Sequence, residues 1–400
     1  MSRRTPGRVE PPTVLQLVPR LDPDELGEAA VDVARALRAA GWRALVASAG
    51  GPLERELHAT GARMVRLPLD EDGLLRHWQN GRQIVKLVRE ERASLIHARS
   101  ADLAAIAADL ARRVGRLLVV TAHEMPEADG RRDAPYRLAL RAADRVIAVS
   151  EFAAEHLVNG LALEPERVRA VPRWVDTDEL DPYRVRGHRV AAAAERCGLG
   201  VGPRVIGVPL EVAATDGCDL LLRSVARLDH PDAALLFLGP LPQGREAVAR
   251  LTAALRSAGL ADRARFASGV TDLPALLALV DVLLVPAVRP RTAMPLASAA
   301  QAMGKPVIVT ATGALPELVM PAVTGWLLPA DDPGEIAWAL DLALKMGDDV
   351  RDRVARRARE FALTAFAAPA VLEQQLELYG DLLRPAGVPP QLLATRAATG

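Results

Sequence analysis

Between positions 280 and 317 the chain reads VDVLLVPAVRPRTAMPLASAAQAMGKPVIVTATGALPE, and few folds accommodate that order. The run 282–285 is short, apolar and β-branched enough for a strand buried on both faces of a parallel sheet. Arg289, Pro290 and Arg291 break it. Residues 297–303 are small and apolar, which suits a helix packed hard against a sheet. Gly304 then supplies a left-handed cap, a conformation that glycine adopts cheaply. Pro306 closes the turn, 307–309 is the next strand, Gly313 follows, and a helix is expected to open near Pro316 and Glu317. Ligands of parallel sheets sit at the carboxyl ends of the strands. Both loops of this stretch are therefore expected at one crevice.

The same punctuation recurs along the chain. Strands expected at 14–18, 42–48, 64–67, 95–98, 117–121 and 168–171 alternate with helices at 29–40, 54–60, 79–91, 101–114 and 131–143. A polar, arginine-rich stretch at 183–197 leads into a second series. Its strands fall at 205–209, 234–238, 266–269, 282–285, 307–309 and 325–329. Its helices fall at 219–228, 245–258, 272–278, 335–346 and 350–362, with a last long helix at 370–383. Repeated βα units imply right-handed crossovers and parallel sheets, an α/β fold. Four hundred residues give room for two such domains.

Composition removes several function classes. Fifty basic residues balance fifty acidic ones, so no electrostatic footprint for nucleic acid is present. Lysine occurs only at Lys86, Lys305 and Lys345, which excludes a Walker-A loop. Cys197 and Cys218 have neither metal-ligand nor redox spacing, and read as incidental thiols of a reducing compartment. No apolar run reaches membrane-spanning length. Arg3, Arg4 and Arg8 precede no apolar core, so the start does not read as a signal peptide. A cytoplasmic protein is expected, at most peripheral to the inner membrane.

Several segments carry a resemblance. AQAMGKPVIVTATGALPELVMPAVTGWLLPADDP at 300–333, HARS at 97–100, DRVIAVSEF at 144–152 and PRWVD at 172–176 resemble glycosyltransferase family 4. These are retaining enzymes of GT-B fold, and the likeness is nearest the lipopolysaccharide-core type. It implies two Rossmann-like doubly wound domains facing across a cleft. A loose lead-in at 1–12 would precede an acceptor domain at 13–183 and a nucleotide-sugar domain at 184–370. A helix at 371–384 would cross back to the first domain, before a loose tail at 385–400. The implied activity is metal-independent transfer of a sugar from a nucleotide-diphosphate donor to an envelope glycan or glycolipid.

Read position by position, the resemblance exposes departures. The family's phosphate-binding arginine and lysine, five residues apart, fall on Glu211 and Asp216. Two cations there would neutralise a diphosphate and its leaving group; two acids repel it, unless they belong to a solvated loop. The family's paired glutamates, one touching the sugar and one the ribose hydroxyls, fall on Arg291 and Ala299. Arginine accepts no hydrogen bond, and alanine offers a methyl. Gly313 matches a family glycine and Glu317 a family glutamate, the latter also serving as a helix-start carboxylate.

On the acceptor side, a Gly-Gly pair is replaced by Asp24 and Glu25, carboxylates that equally suit a helix N-terminus. His97, Arg99 and Ser150 lie at strand ends; His97 reads as either a site residue or a core histidine. His123 matches a strand-end histidine facing the sugar and is the one catalytic candidate. Arg173 sits in the interdomain motif, beside Trp174 in place of a glycine. Two readings follow: a weakly active family member, or a non-catalytic relative acting as scaffold for an active transferase paralogue. A ligand of different chemistry, cationic or neutral, is a third.

Overall fold

The computed structural model describes residues 11–71, 74–126, 133–200, 202–230, 232–239, 245–267 and 269–384. Most of the expected lead-in, the start of the 131–143 helix and the 385–400 tail lie outside the described residues. The chain divides into two compact units. One comprises Met1–Val171 with Leu372–Gly400, the other Pro172–Val371.

The first unit is built on seven parallel strands: β1 (Thr13–Leu17), β2 (Arg43–Ser48), β3 (Arg63–Arg66), β4 (Leu95–Ala98), β5 (Leu117–Ala122), β6 (Arg145–Ala148) and β7 (Val168–Ala170). Their order is β3-β2-β1-β4-β5-β6-β7, so the winding reverses between β1 and β4. All five residues of β1 are buried, the signature of a strand covered by helices on both faces. Helix Ala101–Val114 shows how local sequence sets the boundaries. The Ser100 hydroxyl accepts from the Leu103 amide at its start, and Gly115 adopts φ 62° at its end. Leu103, Ala107, Leu110 and Ala111 form its buried stripe.

The second unit holds six parallel strands: β8 (Val205–Pro209), β9 (Ala234–Leu238), β10 (Ala264–Phe266), β11 (Val282–Val285), β12 (Val307–Thr310) and β13 (Gly325–Leu328). Their order is β10-β9-β8-β11-β12-β13, reversing between β8 and β11. One apolar cluster, including Leu236, Leu283, Val285, Ala300 and Val307, and another, including Ile206, Leu235, Phe237 and Ile308, fill the two faces of the sheet. The last helix, Ala368–Leu383, begins in this unit and from Leu372 belongs to the first.

Several element boundaries depart from the sequence reading, among them the helix expected at 79–91, which spans Leu74–Glu90. The first helix starts at Glu25 rather than 29, because the Asp24 carboxylate caps it by accepting from the Leu26 and Gly27 amides. The β10 strand ends at Phe266, where a strand over 266–269 was expected. No α-helix opens at Pro316: Leu315–Leu318 is a single 3₁₀ turn. The buried Gln301 amide donates to the Leu318 carbonyl, taking the acceptor that a continuing helix would use. Val319 then turns extended.

Candidate functional site

In the second unit the topology brings together the loops after β8, β11 and β12. The first two flank the switch point, where a doubly wound sheet opens a crevice. The β8 loop begins as the short helix Leu210–Ala213 and turns through Thr215, Asp216 and Gly217. A Cβ on Gly217 would lie 2.5 Å from the Pro286 carbonyl oxygen, so glycine is what lets this loop approach the end of β11. From the β12 side, Thr310 Oγ1 lies 2.5 Å from the Ala287 carbonyl oxygen, and the Ala314 amide donates to the Arg291 carbonyl at 2.8 Å. Gly313, at φ +55°, packs so closely on the Arg291 backbone that a side chain would collide with it.

Asp216 is the hub of this arrangement. Its side chain is 6% exposed. Its Oδ2 accepts two successive backbone amides, Val288 at 2.8 Å and Arg289 at 2.7 Å. Its Oδ1 accepts Arg291 Nη2 at 2.6 Å. Thr215 Oγ1 lies 2.9 Å from the same oxygen and 2.6 Å from the Glu211 carbonyl, so its single proton is shared between them. Burial pushes the Asp216 carboxyl up. The amides of Arg289 and Val288, then Thr215 and Arg291, outweigh that and hold it below the ordinary carboxylate range.

Asp216 and Arg291, the two positions at which the resemblance implies the opposite charges, neutralise each other. The repulsion expected of Asp216 toward a phosphate is largely cancelled by its own partners, and Asp216 is not part of a solvated loop. Glu211 is exposed on its short helix. Ala299 is buried in helix Pro295–Ala302 and presents no polar atom. Glu317 is half-buried in the 3₁₀ turn. Arg173 lies over the Trp174 ring, 5.3 Å from its centroid.

In the first unit His97 and Arg99 are buried within a polar network rather than open to a crevice. His97 Nε2 lies 2.7 Å from Thr121 Oγ1, and its Nδ1 lies 2.7 Å from the Tyr379 hydroxyl. Arg99 Nε donates to Gln16 Oε1 at 2.7 Å, and Gln16 Nε2 to the Ala30 carbonyl at 3.0 Å. Burial, reinforced by the nearby Arg99 and His123, keeps the His97 pKa well below the ordinary imidazole value. His97 is the hydrogen-bonded core histidine of the two alternatives.

His123, just past β5, is partly open and places Nδ1 3.1 Å from Glu25 Oε1. These two sequence-selected residues are therefore brought together. Ser150 caps helix Glu151–Leu161 by accepting the Ala153 amide.

Residue-by-residue reading missed Thr215, the Val288 and Arg289 amides, Gln16, Thr121, Gln375 and Tyr379. Backbone amides leave no mark on composition. Tyr379 lies 282 residues from its histidine partner, beyond any local pattern. Among the described residues no cluster of metal-ligating side chains occurs, and no helix is long and apolar enough to cross a membrane.

Comparison with known proteins agrees with this architecture. The family profile for Glycosyltransferase Family 4 matches residues 27–179, and that for Glycosyl transferases group 1 matches 204–346. The D-inositol 3-phosphate glycosyltransferase of Mycobacterium sp. (strain KMS) is 34% identical over 218 residues, covering 53% of this chain and 47% of that protein. The chain thus matches about half the length of this curated relative. A glycosyltransferase from Rickettsia africae superposes with a TM-score of 0.81 at 19% identity, covering 94% of this chain and 100% of that one. HepE of Anabaena, in complex with UDP and glucose, gives 0.79 at 20% identity, covering 92% and 99%. At such identities the structural likeness speaks for the fold alone. The two profile matches place the chain in glycosyltransferase family 4, and the solved structures agree with the Rossmann-like domains of the GT-B fold.

Proposed function

We infer that this chain is a non-catalytic member of its family, a partner of active transferases rather than a transferase of ordinary power. The observation that carries this reading is the internal engagement of Asp216 by Arg291 and two backbone amides. The resemblance to the family implies a phosphate-binding lysine there. Here the position is filled by an acid that is already neutralised. The methyl of Ala299 supplies no acceptor for ribose hydroxyls, and Glu211 presents a negative charge where a cation would serve.

A second reading is retaining transfer of a sugar from a nucleotide-diphosphate donor to an inositol-phosphate or glycolipid acceptor of the cell envelope. The similarity to the D-inositol 3-phosphate glycosyltransferase supports it. The pair formed by His123 and Glu25 would then serve at the sugar.

Calorimetric titration with UDP, GDP and UDP-glucose separates the two. The first reading expects no saturable heat at micromolar nucleotide and no release of nucleotide from UDP-glucose. Micromolar binding accompanied by turnover overturns it in favour of the second.

A further inference from the structure

The donors around Asp216 form a set usually seen around a bound oxyanion. Two successive backbone N–H groups, a guanidinium and a hydroxyl converge on one carboxylate. Such backbone nests, supplemented by arginine, hold phosphate and sulfate in many unrelated proteins. The site also contains more donors than one carboxylate uses. Arginine grips a phosphate through two N–H groups in a fork. Asp216 engages Arg291 through Nη2 alone, and Arg291 Nε is buried with no hydrogen-bond partner.

We propose that the loop after β11 is an anion-binding nest and that Asp216 is a tethered anion filling it in place of a ligand's phosphate oxygens. The nest spans the Val288 and Arg289 amides, Arg291 and Thr215. Its ligand class is an inorganic or esterified phosphate, and the resident carboxylate excludes that ligand while fixing the loop in its occupied form. This rests on the non-catalytic reading and gives it a cause: the site is closed by the chain's own side chain.

The test removes the tethered anion. Asp216→Ala, titrated with inorganic pyrophosphate in calorimetry and thermal unfolding, is expected to bind it at least roughly tenfold more tightly than the wild type, given the strength of charge-assisted arginine contacts. Its unfolding midpoint is expected to rise by about 4–8 °C at saturating pyrophosphate, while the wild type stays within about 1 °C. Asp216→Ala combined with Arg291→Met is expected to lose both responses. Asp216→Ser serves as the second variant should Asp216→Ala not fold. Equal pyrophosphate affinity in wild type and variant overturns the proposal, as does a gain that survives Arg291→Met. The two readings fail separately, because turnover of UDP-glucose by the wild type concerns catalysis and leaves the pyrophosphate comparison to stand on its own result.

Discussion

The Tyr379 hydroxyl lies 2.7 Å from His97 Nδ1, joining the last helix to the fourth strand across 282 residues of sequence. The Gln375 amide donates to the same hydroxyl. The phenol then has its own proton to give to Nδ1, an arrangement in which Nε2 is protonated and donates to Thr121. One tautomer of a neutral imidazole satisfies every partner. Tyr379→Phe strands Nδ1 and the Gln375 amide in a dry interior, at an expected cost of about 1–3 kcal/mol. Urea unfolding reads that loss, and amide exchange is expected to quicken over 368–383. An unchanged midpoint would mean that water replaces the phenol.

Because His97 is held neutral by burial, stability acquires a pH slope of known sign. Its folded pKa is depressed well below the unfolded value of about 6.5. Above that value both states are neutral and nothing is lost. As pH falls below it, the unfolded chain takes up a proton that the folded chain refuses. Stability is then expected to drop by about 1.4 kcal/mol per pH unit until the folded pKa is reached. His97→Gln is expected to flatten that part of the profile between about pH 6.5 and 5. Parallel profiles for the two proteins would assign the slope to other groups.

The pair of Asp216 and Arg291 is expected to be strongly non-additive. Asp216→Ala leaves two backbone amides and a guanidinium without their acceptor and should cost about 2–4 kcal/mol in urea. Arg291→Met alone should cost less, because the carboxylate keeps both amides, and the double variant should reveal a coupling of about 1–3 kcal/mol. Introducing cations through Glu211→Arg and Asp216→Lys alone would place a lysine against Arg291. Only the triple change with Arg291→Glu is expected to recover wild-type stability to within about 1 kcal/mol. Simple additivity of the single costs would remove the pair from the account.

Gly313 and Gly41 make a controlled comparison, since both have positive φ. At Gly41 an added Cβ meets nothing within 4 Å, so Gly41→Ala should cost only the left-handed strain, about 1 kcal/mol. At Gly313 the same methyl runs into the Arg291 backbone. Gly313→Ala is expected to cost at least about 2 kcal/mol more than Gly41→Ala, by displacing the β11 loop. Thermal midpoints of the two variants decide the matter, and equal shifts would show that the loop yields freely.

Much of the fold was legible because it depends on periodicity and punctuation. The runs at 205–209, 282–285 and 307–309 announced buried strands, and β8, β11 and β12 occupy those places. The site was legible as a set of positions but not as a set of contacts. Residues 216 and 291 stood out individually as inverted charges. Their mutual cancellation depends on loop geometry, set by Gly217 and Gly313 approaching backbone from two other loops. Side-chain chemistry at 211 and 299 could be read directly, since an acid or a methyl has the same character wherever it sits. The 3₁₀ turn at Leu315–Leu318 escaped because a distant amide, Gln301, decides where that segment stops.

The pairing of Asp216 with Arg291 also constrains how the two positions can vary. Replacing Asp216 alone by a cation, or Arg291 alone by an acid, sets like charges face to face in a place where water is scarce. Either change alone is costly until the other has been made. The two positions are therefore coupled, and chains that descend from this one should keep both residues together or change both.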